Sequence, residues 1–127
     1  MTTDKFQISR DSPALYLTLV TKDRLPVFRS DAIKALVCQA IDEARKSGNF
    51  LPLAYVIMLD HLHLITDCPS SSADVLRYIK GIIGRRVIDY LKEGSFQSSL
   101  AKLRHAEWKR KHEHSVWQQE KNVFSIF

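Results

Sequence analysis

The stretch Tyr55 to Cys68, YVIMLDHLHLITDC, constrains this chain more than any other. It is apolar and rich in β-branched residues, which predicts extended backbone. Successive side chains on a strand point to opposite faces. His61 and His63 therefore share one face, about 7 Å apart along the strand. Leu62 and Leu64 point the other way, into a core. Two imidazoles on one face of a strand can hold one side of a divalent-metal site. The same pattern also arises when one ring meets solvent and the other is hydrogen-bonded, so the spacing leaves both readings open.

The rest of the chain sets a frame for this hairpin. Ala14 to Thr21 reads as a strand that Lys22-Asp23-Arg24-Leu25-Pro26 breaks. Ser30 is a predicted N-cap with Asp31 in the first turn. A helical stripe follows at Ile33, Leu36, Val37, Ala40, Ile41 and Ala44, and Gly48 is expected just past its end. Leu51 to Asp60 and His61 to Asp67 read as two strands joined by a tight turn at Leu59-Asp60. Pro69 to Ser72 is a loop whose last serine is placed to cap a helix over 73–93, with Val75, Leu76, Ile79, Ile82, Ile83, Val87 and Leu91 buried. Gly81 and Gly84 each cost roughly 1 kcal/mol in a helix interior. They suit a close approach by another backbone or a nucleic-acid strand, or simply relieve crowding against a sheet. Leu100 to His112 is predicted as a short basic helix, and Val123 to Phe127 as the start of a further element. His105, His112 and His114 lie in polar surroundings and are not read as ligands.

The predicted order is strand, helix, strand, strand, helix, strand. That is α+β, the ferredoxin-like β-α-β-β-α-β arrangement: an antiparallel sheet with helices on one face and the other free for a site. The 127 residues suffice for one domain. Lys and Arg number 19 against 14 Asp and Glu, a net charge of +5, which favours a nucleic-acid partner. Two cysteines, Cys38 and Cys68, point away from a disulfide framework and towards the cytoplasm. No apolar run is long enough to span a membrane, and the polar start is not a signal peptide.

YVIMLDHLHLI resembles the Tyr-Val-Ile-Met-Pro-Asn-His-Val-His-Leu-Leu signature of the IS200-like single-tyrosine (HUH) transposases, and within them the branch associated with repetitive extragenic palindromes. Three further features agree in order: a first strand ending Thr21-Lys22-Asp23-Arg24, a helix with Tyr78-Ile79-Lys80-Gly81, and Val116-Trp117-Gln118. The resemblance spans nearly the whole chain. It implies a DNA transposase that uses Mg²⁺ or Mn²⁺ and single-stranded or hairpin DNA. His61 and His63 would hold the metal, which polarises a phosphate, and a tyrosine would form a 5′-phosphotyrosine link. One branch of the family forms homodimers and the other works as monomers.

Two departures matter. Leu59-Asp60 replaces Pro-Asn, adding a carboxylate beside the histidines. The family's catalytic tyrosine lies in a segment downstream of Trp-Gln, so it is expected beyond Phe127, with no catalytic residue within 1–127. The expectation is a domain that binds DNA without cleaving it. Lys80, Arg85 and Lys92 on the long helix are the favoured DNA contacts, with Lys109, Arg110 and Lys111 behind them. Ile65 at the third position departs from His-x-His-x-His nucleotide hydrolases, and His63-Leu64-Ile65 departs from two-histidine phosphoesterases. The non-enzymatic rival is a ferredoxin-like nucleic-acid-binding module, indifferent to metal.

Overall fold

The structure is a computed structural model. It describes residues 14–104 and 114–118, and the backbone of 122–125. The elements are β1 (Leu15–Val20), α1 (Asp31–Gly48), β2 (Pro52–Ile57), β3 (His61–Thr66), α2 (Ser72–Glu93), α3 (Gln97–Lys102) and β4 (Asn122–Ser125). The strands form one antiparallel sheet in the order β2-β3-β1-β4, the ferredoxin-like order that the sequence predicts, with α3 added.

Alternation decides which face of the sheet is covered. Leu15, Leu17 and Leu19 of β1 and Leu62 and Leu64 of β3 are buried, in one core with Ile33, Val37 and Ile41 of α1 and Ile79, Ile83 and Val87 of α2. The helical stripes that bury these residues recur at three- and four-residue spacing, as an amphipathic helix requires. The residues between them on β1 and β3 are only half-buried, and they form the open face.

The starts of α1 and α2 are both capped by serine side chains. Ser30 Oγ accepts from Ile33 N at 3.2 Å, as predicted, and Ser71 Oγ accepts from Asp74 N at 3.1 Å. The second cap is Ser71 and not Ser72, because Ser72 is already helical. The end of α1 also departs from expectation. Gly48 is its last helical residue, and Asn49 takes the left-handed conformation (φ 54°) and donates its N–H to Arg45. Asn reaches that region more readily than most residues. Gly48 has a separate role: a Cβ there would lie 2.8 Å from the Tyr78 ring. The helix expected over 100–112 is instead the shorter α3, which begins earlier; 105–113 lie outside the described residues.

The Val116-Trp117-Gln118 landmark runs beside the end of β1. Lys22 N donates to Val116 O at 2.7 Å and Gln118 N donates to Val20 O at 2.9 Å. Trp117 is buried, its ring 5.7 Å from that of Phe28, and its indole N–H donates to the Lys80 carbonyl at 3.0 Å. A Cβ at Gly84 would meet the indole at 3.6 Å, an ordinary van der Waals contact, so this packing does not by itself require a glycine there. Gly81 has open space there instead. Cys38 and Cys68 are both free thiols. No helix among the described residues is long and apolar enough to cross a membrane.

Candidate metal and DNA site

The hairpin that carries the histidines is held from both sides. Met58 N donates to His61 O at 2.8 Å, so Leu59-Asp60 is a two-residue loop. The end of β1 pins it: Thr21 N donates to Asp60 O at 2.9 Å, and Thr21 Oγ1 lies 3.0 Å from the same oxygen. Phe28 N donates to Leu59 O at 3.0 Å. Thr21 is fully buried, so these bonds are shielded from water. Beyond it Asp23 and Arg24 both take positive φ (52° and 53°), an unfavourable conformation for residues with a Cβ. That turn brings Arg24 Nη1 within 3.2 Å of Asp60 Oδ2.

His61 and His63 stand on the open face, as alternation requires. Their ring centroids are 4.7 Å apart in an edge-to-face arrangement. Each ring is engaged at Nδ1. Asp60 Oδ1 lies 2.7 Å from Nδ1 of His61. On His63, Tyr16 Oη lies 2.9 Å and Thr18 Oγ1 3.2 Å from Nδ1. Thr18 pairs directly across from His63, with Tyr16 two residues along on the same face. The Tyr16 ring also stacks on His63, 15° from parallel at 5.7 Å. Among the described residues, Nε2 of neither histidine makes a hydrogen bond, so both are left to an external ligand.

The electrostatics follow. The hydrogen bond from His61, with Arg24 behind it, holds the Asp60 carboxyl below its ordinary range. Burial, and then the neighbouring His61, push the His63 imidazole below its own. His63 is thus kept neutral, the form that ligates a metal. In a proton-NMR titration, His63 should take up its proton below the ordinary imidazole range. The unfolded chain then binds the proton first as pH falls. This group therefore subtracts stability as pH drops from the ordinary histidine value to the folded one, and has no effect above that window. Titration of His63 at or above the ordinary value would contradict the geometry.

Among the described residues, no three His, Cys, Asp or Glu side chains are grouped to hold an ion. Asp60, the extra carboxylate, is turned to His61 Nδ1 and Arg24 and is no third ligand. Of the described residues, His61 and His63 could thus offer an ion two ligands at most. Their chemistry suits Mn²⁺ better than Mg²⁺, because imidazole nitrogen is a poor match for the harder ion.

Lys80, Arg85 and Lys92 of α2 are brought together. They line one groove of about 320 Å³ with Gly81, Gly84, Trp117 and His114. Lys80 Nζ donates to Gln118 O at 3.3 Å, while Arg85 and Lys92 are exposed. Arg86 differs: it is clamped to Glu43 by two bonds of 3.0 and 2.6 Å. The groove lies on the helical layer and the histidines on the open face, so the structure does not join them in one pocket. A larger cavity, about 650 Å³, lies between 25–33 and the end of α2 and contains neither histidine. Lys109, Arg110 and Lys111 lie outside the described residues. Sequence reasoning missed Tyr16, Thr18 and Arg24 as partners of this site. The alternation that placed Leu17 inside already placed Tyr16 and Thr18 outside, but nothing in it set the register against β3.

The family model for "Transposase IS200 like" matches residues 12–126. Among solved structures, the chain is similar to a protein assigned as a transposase from Deinococcus radiodurans R1, at a TM-score of 0.67 and 17% identity, covering 100% of this chain and 87% of that one. It is also similar to the REP-associated tyrosine transposase bound to a REP hairpin, at a TM-score of 0.59 and 14% identity, covering 100% of this chain and 63% of that one. No functionally curated protein matches it in sequence.

Proposed function

This chain belongs to the IS200-like transposase family, and from that premise we propose that it is an HUH-type domain binding hairpin or single-stranded DNA and a divalent metal, without covalent cleavage by residues 1–127 alone. The observation that carries this reading is the histidine pair on the open face, with no hydrogen bond at either Nε2 among the described residues. A similar structure carries a REP hairpin, which supports hairpin DNA as the partner. A bound Mn²⁺ would act as a Lewis acid on the scissile phosphate. His61 and His63 would hold it, and water and phosphate oxygens would fill the other positions.

The positions of the four tyrosines support the absence of cleavage. Tyr55 pairs with Leu64, on the helical side of the sheet. Tyr78 lies on α2 beneath the Arg77 guanidinium, and Tyr90 stacks on Phe96. Tyr16 touches the site, but at His63 Nδ1, the side of the ring away from Nε2. None is set to attack a phosphate held at the two Nε2 atoms.

The cations of the α2 groove are proposed as contacts to the DNA backbone, with Lys109, Arg110 and Lys111 in the same role. The test is binding of a DNA hairpin with a single-stranded flank across a salt series. Affinity should fall steeply with salt, and Arg85→Glu with Lys92→Glu should flatten the logarithmic slope by about 1 for each phosphate that is no longer neutralised. An unchanged slope would remove α2 from the interface. A covalent protein–DNA product with Mn²⁺ would overturn the non-cleaving reading. A metal-indifferent binding module is the second reading, favoured by the lack of a third ligand among the described residues. It predicts the same hairpin affinity with and without Mn²⁺.

A further inference from the structure

We propose that Asp60 and Tyr16 are positioning residues for the histidine pair, with unequal roles: Asp60 dictates the tautomer of His61, whereas Tyr16 holds the His63 ring in place without choosing its tautomer. The proposal rests on the reading of His61 and His63 as ligands and goes beyond it, because it assigns work to residues that touch no metal.

The asymmetry comes from hydrogen-bond chemistry. An ionised carboxylate can only accept. With Asp60 Oδ1 at 2.7 Å, His61 must carry a proton on Nδ1, and its neutral form then has its lone pair on Nε2. Asp60 is well placed to insist on this. Its carbonyl accepts from Thr21 N at 2.9 Å, and its second carboxylate oxygen is held by Arg24 at 3.2 Å. A carboxylate behind a ligating histidine also raises that ligand's basicity. At His63 the partners are the hydroxyls of Tyr16 and Thr18. A hydroxyl donates or accepts equally well, so it steadies the ring in either tautomer. The stacked Tyr16 ring limits rotation of the imidazole from one side. At the position where the family signature has a neutral Asn, this chain has a charged partner for one of its two histidines.

The experiment is nitrogen-15 NMR of the histidine rings in the metal-free protein, on the alkaline side of the imidazole range, beside Mn²⁺ titration calorimetry. Wild-type His61 should be predominantly the Nδ1–H tautomer. Asp60→Ala should mix its tautomers and weaken Mn²⁺ binding by about 10- to 100-fold, the usual effect of losing such a partner. Asp60→Asn keeps the shape and should fall between; it also serves if the alanine variant does not fold, as judged by thermal unfolding. Tyr16→Phe should leave the His61 tautomer unchanged and weaken Mn²⁺ less than Asp60→Ala does. An Nε2–H tautomer at His61 in the wild type overturns the proposal. So does Asp60→Ala with tautomer and Mn²⁺ affinity both unchanged. If Asp60 governs the tautomer but wild-type protein binds no Mn²⁺, the positioning role stands and the metal reading alone falls.

Discussion

Replacing His61 and His63 together by alanine is expected to abolish Mn²⁺ binding while leaving the fold and the salt-dependent affinity for hairpin DNA in place. Both rings sit on the open face, with Nδ1 engaged by protein groups and, among the described residues, no hydrogen bond at Nε2. Neither ring fills the core, so removing them opens no internal cavity. The hydrogen bonds that disappear are to hydroxyls and a carboxylate that water can reach, since Asp60 retains 24% side-chain exposure. With no third ligand among the described residues, removing both imidazoles takes away every protein donor identified for the ion. Each single substitution should already remove most of the affinity, because a single neutral imidazole leaves the ion only one protein donor among those identified. Calorimetry with Mn²⁺ and hairpin binding by the same samples check this. Mn²⁺ binding that survives the double replacement would move the metal site elsewhere, and parallel loss of DNA affinity would place the histidines in the DNA interface itself.

The second large effect concerns the residue between them. Leu62→Ala should destabilise the domain by about 2–5 kcal/mol, the range for a buried leucine whose site cannot collapse. Leu62 is fully buried, lies opposite Leu19 on β1 and Ile57 on β2, and joins the core beneath both helices. Against a typical total of about 5–15 kcal/mol, that loss is large enough to unfold a fraction of the molecules. Chemical denaturation would show it as a lower midpoint with an unchanged slope. A cost below about 1 kcal/mol would mean that β3 is not packed as described. The contrast with the histidine pair is direct: neighbours on one strand, one class expected to control stability and the other proposed to hold a metal, because alternation sends them to opposite faces.

What could be read from the residues was local. The alternation of HLHLIT, the stripe of α1 and the Ser30 cap each depend on neighbours within about four positions. So did the tight turn at Leu59-Asp60, since two extended runs with almost nothing between them must fold back. Local patterns also misplaced what local patterns poorly control. The left-handed residue that ends α1 is Asn49 and not Gly48, while Gly48, still helical, lies where the Tyr78 ring crowds the helix.

Residue pattern alone is enough for the element order, and it puts His61 and His63 on one face because a strand's period of two admits one answer. What stands behind each ring depends on how distant strands pair. Tyr16 and His63 are 47 residues apart and Arg24 and Asp60 are 36 apart. They meet because β1 and β3 pair antiparallel in one register, and a slip of a single residue would turn every side chain to the other face. That register is set by the whole core closing beneath the sheet, which no short stretch of the chain encodes. The same closure put the cations of α2 on the layer opposite the histidines, a separation invisible to a count of charges.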